Sequence, residues 1–333
     1  LTPLTTRSSV GGDSSASTIG AGMASEDYPK TFEEFLKRFP TEDDCVQYIR
    51  SVRWPDGFSC PHCGADTYWE TKRHYLRCSG CRRETSVTAG TVFEDTRKPL
   101  RLWFHVMWFM MAQKTGVSAK NLQESMGFGS YQTVWAWLHK LRSVMVRRGR
   151  EQLTGSVEVD EAFLGGKTTG KRGRGADKKV LVAVAVEEVH DRLGRVRFRC
   201  IQDASAANLI PFVTDHVQLG SEVITDGWKA YGTLATKGYT HRRITKQQAA
   251  ESGEELLPHV HLVISLLKRW LRGTHQDAVT PTHLSAYLDE FAFRFNRRLS
   301  THRGKLFYRL MQQAVSTRPP NVKDLYGNQN HNM

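Results

Sequence analysis

Four of the six cysteines stand in two pairs that have the spacing of a metal site. Two residues separate Cys60 from Cys63 and Cys78 from Cys81, and 14 residues lie between the pairs. Zn²⁺ takes four thiolates tetrahedrally, and each C-x2-C turn supplies two of them. A closed shell of four cysteines leaves no open position for chemistry. The sequence therefore predicts a structural zinc in a ribbon over residues 56–93.

The predicted ribbon is rich in basic and aromatic residues. The basic members are Lys72, Arg73, His74, Arg77, Arg82 and Arg83, and the aromatic members are Tyr68, Trp69 and Tyr75. Cations interleaved with aromatic rings suit nucleic acid. A solvated basic face is the alternative interpretation of the same residues.

Two aspartates are candidate ligands of a second, different metal site. Asp160 lies inside the apolar strand pattern VEVDEAFLGG (157–166), and Asp226 ends the strand pattern within SEVITDGW (221–228). A carboxylate within or at the end of a core strand is costly unless it is paired or binds a metal. Either aspartate alone is weak evidence, because an aspartate at a strand end often caps a turn. Together they predict a Mg²⁺ site of the kind that assists phosphodiester displacement.

Four glutamates near these positions are weaker candidates. Glu158 and Glu161 flank Asp160, and we expect strand alternation to send both side chains to the opposite face. Glu254 and Glu255 precede Pro258, which places them before the helix that follows. The sequence therefore assigns no metal ligand to any of the four.

The stretch HVHLVISLLKRW (259–270) has the spacing of an amphipathic helix. One line of apolar residues forms a buried stripe: Val260, Ile264, Leu267 and Leu271. A second line lies about 100° round the helix: His261, Ser265, Lys268 and Arg272. The histidine and the lysine lie two turns apart on one face, and the spacing alone leaves their role open.

Composition restricts the class of protein that would use these residues. The chain of 333 residues is long enough for two or three domains, and no apolar run reaches the roughly 18 residues of a membrane span. Lys and Arg number 47 against 34 Asp and Glu, which gives a net charge of +13. This excess favours a polyanion partner, since neutralising phosphates releases counterions; an incidental basic surface is the alternative. Cys45 and Cys200 stand alone, so the cysteines indicate a reducing, cytosolic compartment and not a secreted disulfide framework.

The chain before the ribbon divides into a leader and a helical segment. Residues 1–22 are rich in Ser, Thr and Gly and lack an apolar stretch, so we interpret them as a disordered leader or a remnant of cloning. We expect the natural start at Met23. Short helices are predicted over residues 25–55, with a break at Pro40-Thr41.

Residues 98–150 have the pattern of a helix followed by a helix-turn-helix. Leu100 to Gln113 forms one apolar helix, and a turn at Gly127–Gly129 separates two more. Ser118 and Ser130 are plausible N-caps of those two helices. Because the second helix of this motif enters a DNA groove, the segment is predicted to bind DNA.

From residue 154 to residue 300 the pattern becomes mixed α/β. Strands are predicted at 156–163, 179–188, 195–202 and 222–226, with a weaker one at 239–244. Helices are predicted at 205–217, 228–235, 256–272 and 281–297, the last with Thr280 as N-cap and Pro281 at its first position. Together with the ribbon and the helix-turn-helix, this order indicates a multidomain α+β chain. Residues 301–333 are expected to form a C-terminal tail.

Several distinctive motifs occur along the chain: CPHC…CSGC, VEVDEAFLGGK, KRGRGADKK, VITDGWKAY, HVHLVISLLKRWLRGTH and HLSAYLDEFAFRFNRR. In sequence and order they resemble the bacterial insertion-sequence transposases of the DDE superfamily, in the branch with an N-terminal zinc ribbon (ISXO-like transposases). The resemblance covers roughly residues 30–310. It implies an RNase H-like catalytic domain over residues 154–300.

The resemblance also implies metal ligands on the first strand, the fourth strand and a late helix. The first two carry over to Asp160 and Asp226, with 65 residues between them. Many relatives have Glu at the third position, seven residues before Lys or Arg, whereas here His261 stands seven residues before Lys268. A histidine variant exists in this branch, so Asp160, Asp226 and His261 are expected to hold Mg²⁺ or Mn²⁺, with Lys268 on a DNA phosphate. Imidazole is a softer ligand than carboxylate and favours Mn²⁺; His259 competes for the role but lacks the seven-residue relation.

The implied activity is transposition by two-metal phosphoryl transfer. The protein would bind terminal inverted repeats in double-stranded DNA, cleave the transposon ends and join the 3′ ends to target DNA. Because both ends are handled together, a homodimer or larger synaptic oligomer is expected, at the bacterial nucleoid. The expected DNA contacts are Lys171, Arg172 and Arg174 in a Gly-rich loop, and Arg269 and Arg272 on the late helix. A captured, non-catalytic regulator and a stand-alone RNase H-like nuclease are the alternatives.

Overall fold

The structure is a computed structural model that describes residues 26–71, 73–147, 149–165, 179–253, 255–276 and 279–319. Within these ranges the N-terminal helices and a C-terminal helix share one apolar core. A five-stranded sheet with its flanking helices builds two more, one on each face. The four-cysteine ribbon has a small core of its own.

Two short helices open the described chain, α1 (Phe32–Arg38) and α2 (Glu42–Arg53). They are separated at Pro40, where the sequence predicts a break. Thr41 caps α2 through a capping box with Asp44, in which each side chain accepts a hydrogen bond from the other residue's backbone N–H.

Three further helices follow the ribbon: α3 (Leu100–Ala112), α4 (Ala119–Met126) and α5 (Tyr131–Ser143). The hydroxyls of Ser118 and Ser130 accept hydrogen bonds from the backbone N–H groups of Asn121 and Thr133, as expected of N-caps. Gly127 ends α4 with a φ of 67°, a left-handed conformation that favours glycine. The chain thus turns between α4 and α5 where the sequence places a turn.

The segment expected to be a C-terminal tail contains a helix, α10 (Gly304–Ser316). Leu306, Phe307 and Leu310 are fully buried, and α10 packs on α2 and α3. The expectation of a tail is wrong for this part, because these residues recur at helical spacing and complete the core of the N-terminal helices. Residues 320–333 lie outside the described residues.

The ribbon contains three short antiparallel strands, β1 (Tyr68–Glu70), β2 (Leu76–Cys78) and β3 (Glu84–Thr85), in that order across the sheet. The second pair of cysteines begins at the last residue of β2. Leu76 and Cys78 are fully buried, and they pack with Phe58 and Cys60. The ribbon therefore folds around its cysteines.

The large sheet has five strands: β4 (Ser156–Leu164), β5 (Val180–Val189), β6 (Arg192–Ile201), β7 (Glu222–Thr225) and β8 (Thr240–Arg243). Their order is β6-β5-β4-β7-β8. The first three strands along the chain pair antiparallel, and β7 and β8 continue the sheet parallel to β4. The predicted mixed α/β arrangement is confirmed, and β4 is its central strand.

Four helices accompany the sheet: α6 (Ala206–His216), α7 (Lys246–Ser252), α8 (Pro258–His275) and α9 (Leu284–Phe295). Alternation along β4 sends Val157 and Val159 into the core with α6. It sends Ala162 and Leu164 into the core with α8 and α9. Asp160 has the same parity as Ala162 and therefore faces α8.

Two predicted helices differ from the structure. The one expected at 228–235 is replaced by 3₁₀ turns at Lys229–Tyr231 and Ala235–Lys237, which end at Gly232 and Gly238. The helix expected at 281–297 begins as a 3₁₀ turn, Pro281–His283. The Thr280 side chain, expected to be the N-cap, forms no capping hydrogen bond there. In both cases local turn chemistry shortens a segment whose apolar spacing is helical.

A buried ion pair joins the N-terminal helices to the sheet's helices. Nε of Arg142 on α5 donates to Oε2 of Glu290 on α9 at 2.8 Å. The same guanidinium lies 4.2 Å from the centre of the Tyr287 ring. Both partners of the pair are almost fully buried, so it fixes α5 against α9.

Candidate functional site

Asp160 and Asp226 are neighbours because their strands are adjacent and parallel. The register pairs Ser156 with Glu222, Val157 with Val223 and Glu158 with Ile224. The pairing ends there, and Asp226 directly follows Thr225, the last residue of β7. The charge of Asp226 acts on Asp160, so two aspartates far apart in sequence lie near enough on adjacent strands to influence each other.

The environment of Asp160 penalises its negative charge. Its side chain is only 17% exposed. Burial raises the pKa of Asp160 above its ordinary value and the charge of Asp226 raises it further, while the Glu161 backbone N–H and His261 oppose the shift. A cation between the two aspartates would relieve both causes of the rise.

Asp226 has a structural partner as well. Its Oδ1 accepts a hydrogen bond from the backbone N–H of Trp228 at 2.9 Å. Gly227 between them has a φ of 84°, which lets the chain turn sharply after β7. Asp226 therefore caps the turn after β7 with one of its two oxygens.

His261 comes to Asp160 from α8. Leu257 is in the left-handed conformation with a φ of 50°, and Pro258 occupies the first helical position. Nε2 of His261 then lies 3.3 Å from Oδ2 of Asp160, and half of the histidine side chain is exposed. The pair is open to solvent on the histidine's side.

Glu158 holds the start of α8 against the central strand. Its Oε2 accepts a hydrogen bond from the backbone N–H of Val260 at 2.7 Å, and its Oε1 lies 3.0 Å from Nδ1 of His259. A carboxylate at a helix N-terminus satisfies a free N–H and is favoured by the helix dipole. The residue so bound, Val260, immediately precedes His261, so Glu158 fixes the part of the helix that presents the histidine.

The expectation that Glu158 points away from the metal face is wrong. Residues 158 and 160 are two apart on one strand, so alternation places them on the same face, and Glu158 is 4% exposed there. Only Glu161 faces the other way, where it accepts a hydrogen bond from the Tyr231 hydroxyl. Burial raises the pKa of Tyr231 well above its usual value, so the phenol remains a donor.

The two histidines of the helix have different surroundings. His259 is mostly buried and engaged by Glu158, whereas His261 is half-exposed beside Asp160. In the structure His261 lies beside Asp160 and His259 beside Glu158, and the assignment of His261 as the metal ligand stays a prediction. Glu254 lies outside the described residues, and Glu255 is exposed before the helix begins.

The basic residues of α8 continue the line that His261 begins. Seven residues at 1.5 Å rise place Lys268 about 10 Å further along the helix, on nearly the same face. Lys268, Arg269 and Arg272 are all exposed. The other three expected DNA contacts, Lys171, Arg172 and Arg174, lie outside the described residues.

Asp160, Asp226 and His261 have the chemistry for Mg²⁺ or Mn²⁺, with two hard carboxylates and one imidazole. His261 and Asp160 are within contact distance, and Asp226 acts on Asp160 electrostatically. Their ligand atoms do not all lie within 4.8 Å of one another; across the described residues, the group that does is the four cysteines. The donor atoms are of the types that a divalent cation accepts, and His261 and Asp160 are the two of the three whose contact is observed.

The four cysteines already have the arrangement that zinc needs. The sulfurs of Cys60 and Cys81 are 3.7 Å apart, and those of Cys63 and Cys78 are 3.5 Å apart. Tetrahedral Zn–S bonds of about 2.3 Å require S···S distances of about 3.8 Å. The cluster fits a structural Zn²⁺, as the sequence predicts.

Around the cysteines, the aromatic residues of the ribbon are partly exposed. Tyr68, Trp69 and Tyr75 each expose more than a third of their surface. The guanidinium of Arg77 lies 5.6 Å from the Trp69 ring centre. Lys72 lies outside the described residues. Rings next to cations on an open surface are available to a partner.

Both sites lie in ranges that match known families. Residues 152–296 match the family model of the ISXO2-like transposase domain, and residues 40–84 match that of the transposase zinc-ribbon domain. The chain is also 26% identical over 288 residues to an uncharacterized protein in transposable element ISH50 of Halobacterium salinarum. That alignment covers 78% of this chain and 92% of the relative.

Among the described helices, none has the length and apolar character needed to cross a bilayer.

Proposed function

The chain belongs to the insertion-sequence transposases that combine a zinc ribbon with an ISXO2-like transposase domain, and we propose that it cuts and joins DNA by metal-dependent phosphoryl transfer. The observation that carries the proposal is that His261 of α8 contacts Asp160 of β4, while the charge of Asp226, after β7, acts on the same aspartate. Three antiparallel strands followed by parallel ones, with a ligand-bearing helix packed on the central strand, support an RNase H-like domain.

In this proposal the three side chains bind divalent ions and the neighbouring residues hold the DNA. When bound, such ions stabilise the charge on the attacking and leaving oxygens of an in-line displacement. Asp160 and Asp226 supply the two negative charges, and His261 supplies a neutral nitrogen in place of a third carboxylate. Lys268, on the same exposed helix face, binds a phosphate next to the scissile bond, with Arg269 and Arg272 beside it.

The reaction consists of two displacements at phosphorus. In the first, water attacks the phosphodiester at the transposon end; the P–O bond to the 3′ oxygen breaks, and a 3′-hydroxyl is released. In the second, that hydroxyl attacks a target phosphodiester, so one P–O bond forms and one breaks with no net loss of ester. The 3′ oxygen is the leaving group of the first displacement and the nucleophile of the second. One set of metal ligands therefore serves both steps.

The N-terminal part recognises the DNA ends in this proposal. α4 and α5 form a helix-turn-helix whose second helix enters the major groove, and the ribbon adds its cations and exposed rings. Tyr131, at the start of α5, is 43% exposed, which supports an accessible recognition helix. Two ends require two copies of the chain, so the working form is a dimer or larger assembly.

The test is a strand-joining assay with a labelled duplex from the end of the element that encodes the chain. With Mg²⁺ or Mn²⁺ the protein is expected to nick the end and join its 3′ strand to a second duplex. Asp160→Asn is expected to abolish both products. Asp191→Asn is the matched control, because Asp191 is an exposed aspartate in the β5–β6 hairpin with a positive φ that asparagine tolerates.

Other outcomes would contradict the proposal. If the protein binds the end specifically but never cuts it, the chain is a captured regulator. If it cuts but never joins, it is a nuclease. If Asp160→Asn and His261→Ala leave joining intact, the assigned ligands are wrong.

A further inference from the structure

A large cavity lies on the far side of β5 from the central strand. It has a volume of about 1390 Å³, is partly open to solvent, and is lined by the chain after α5, the edge strand β6, the end of α9 and α10. The N-terminal helices and the sheet thus both contribute to its wall. Asp160 and His261 are not among its lining residues, so it is separate from the candidate metal site.

The lining is strongly and unevenly charged. Of the described residues that line it, seven are arginines and one, Glu151, is acidic. Like charges gathered around one space repel each other, and at low dielectric the repulsion is larger than in water. Such a lining is costly unless anions occupy the space.

Three of the seven arginines have carboxylate partners. Arg195 donates to Glu187 at 2.6 Å, Arg318 donates to Glu94 at 2.8 Å, and Arg309 pairs with Glu26. These three charges are largely neutralised by groups of the protein itself.

The other four are Arg147, Arg150, Arg197 and Arg297. In the part of the chain that the structure describes, none of them forms an ion pair with a carboxylate within 4.0 Å. Burial lowers the pKa of Arg150 and the charge of Asp289 opposes that shift, but the two side chains form no ion pair. Their positive charges therefore remain available to a ligand.

Arg197 is the most deeply buried of the four. It is 4% exposed, and its guanidinium donates only to backbone carbonyls, those of Val196 at 2.9 Å and Glu151 at 2.7 Å. Burial, together with the charges of Arg150 and Arg195, lowers the pKa of Arg197 to about 10. A guanidinium has five N–H donors, so two carbonyl bonds leave others for an anion.

Arg297 shows the same combination of burial and repulsion. It donates to the carbonyl of Phe293 at 3.1 Å and lies 4.0 Å from the centre of that ring. Burial, together with Arg309 and Arg147, lowers the pKa of Arg297 to about 10. Both guanidiniums are still protonated near neutral pH, because the lowered values remain well above 7.

From this lining we propose that the cavity binds the sugar–phosphate backbone of DNA at a point remote from the scissile phosphate. The proposal rests on the proposed function, which makes DNA the substrate. Guanidiniums match phosphate oxygens in pairs. Among the lining residues that the structure describes, Phe293 is the aromatic one, and Arg297 covers its ring, so none of those residues offers a free ring to stack on a base. The cavity therefore reads charge and not sequence.

The cavity lies between the N-terminal helices and the sheet. Ser143 at the end of α5 and Arg309 on α10 belong to the N-terminal unit, whereas Arg197 lies on β6 and Arg297 just after α9. DNA held here would touch both units at once and so stabilise their packing against each other.

The test measures how salt weakens binding of the full chain to a duplex of arbitrary sequence and to a single strand. Each phosphate contact contributes about 0.9 to the slope of log K against log salt for duplex DNA and about 0.7 for a single strand. Arg147→Gln combined with Arg297→Gln is expected to reduce the duplex slope by about 2. The matched control removes two exposed cations elsewhere, Arg192→Gln with Lys237→Gln, and is expected to keep the wild-type slope.

A second pair of variants separates charge from packing. Arg147→Lys with Arg297→Lys keeps the positive charges, and its slope is expected to stay within about 0.5 of wild type. An equal fall in the glutamine pair and the surface control would overturn the proposal, since net charge alone would then explain binding. A lysine pair as weak as the glutamine pair would overturn it too.

The partner class is tested with polyglutamate as a competitor. If polyglutamate binds the wild type but not the Arg147→Gln, Arg297→Gln variant, and DNA binds both alike, the cavity takes an acidic polypeptide and the assignment to DNA is wrong. Metal-dependent cleavage is measured on the same preparations. Cleavage with an unchanged slope in the glutamine pair refutes the cavity proposal alone, whereas a reduced slope without any cleavage by wild type refutes the proposed function alone.

Discussion

The ribbon site and the sheet site are built in opposite ways. The four cysteines lie between residues 60 and 81, and their sulfurs are grouped within 4.8 Å by two turns of a small ribbon. The proposed ligands of the sheet site come from residues 160, 226 and 261, on a strand, just after a second strand and on a helix. The first site is soft, closed and local, which suits holding a fold together. The second is hard, half-open and assembled by the tertiary structure, which suits a metal that must admit a substrate.

Removing zinc should have the largest effect and should separate the two regions. Chelation, or Cys78→Ala, is expected to unfold the ribbon, because structural zinc contributes on the order of 10 kcal/mol in such small units. Hydrogen exchange should rise at residues 68–85 and stay slow across the strands of the large sheet. Cys200→Ala, a half-buried cysteine of β6, is the control and should leave the ribbon unchanged. Equal loss of protection in the sheet would show that the two regions are not independent.

Asp226→Asn tests whether the second aspartate is a ligand or only a turn cap. Asparagine keeps the oxygen that accepts from Trp228 N–H and removes the charge. We expect an unchanged melting temperature and a loss of joining of at least about 10³-fold, because metal stabilisation of the transition state is worth several kcal/mol. Joining at the wild-type rate would show that Asp226 only caps the turn and is not a metal ligand.

Glu158→Gln tests whether the sheet site depends on the capped helix start. The substitution weakens the bond to Val260 N–H and disturbs His259, so the half-saturating Mn²⁺ concentration for joining should rise by about 10- to 100-fold. Glu187→Gln is matched for burial, at 4% exposure in both, and also loses a buried hydrogen-bonded carboxylate. It should lower the melting temperature similarly but leave the metal requirement alone. If both variants shift the metal requirement equally, Glu158 does not act through His261.

His261→Glu should have the smallest effect and tests the character of the third ligand. A carboxylate in place of imidazole makes the set harder, so the ratio of Mn²⁺-supported to Mg²⁺-supported joining is expected to fall several-fold. His302→Gln, on a partly exposed histidine far along the chain, is the control. An unchanged ratio would show that His261 does not touch the metal.

The sequence predicted most of the residues of the two sites but fewer of the contacts between them. The cysteine spacing, the two aspartates and the histidine were all visible as patterns. Parity along β4 places residues 158 and 160 on the same face. The expectation that Glu158 points to the opposite face is therefore wrong, and the sequence alone contains the reason. The helix at residues 304–316 had a visible apolar spacing, but the core that it completes was not predictable from the segment itself. The arginine cavity was not predictable at all, because its lining comes from four separate parts of the chain.

What the sequence determined by itself is the chemistry that is encoded locally. Two C-x2-C turns define a zinc site, threonine and serine caps define where helices begin, and alternating apolar residues define the central strand. The tertiary structure decided everything that depends on parallel pairing and on packing between distant segments. It placed the strand before Asp226 beside the strand of Asp160, fixed α8 on Glu158 so that His261 and not His259 lies beside Asp160, and gathered the arginines around one space. The physical reason is that local conformational preferences act over a few residues, whereas register and burial are settled only when the whole core has formed.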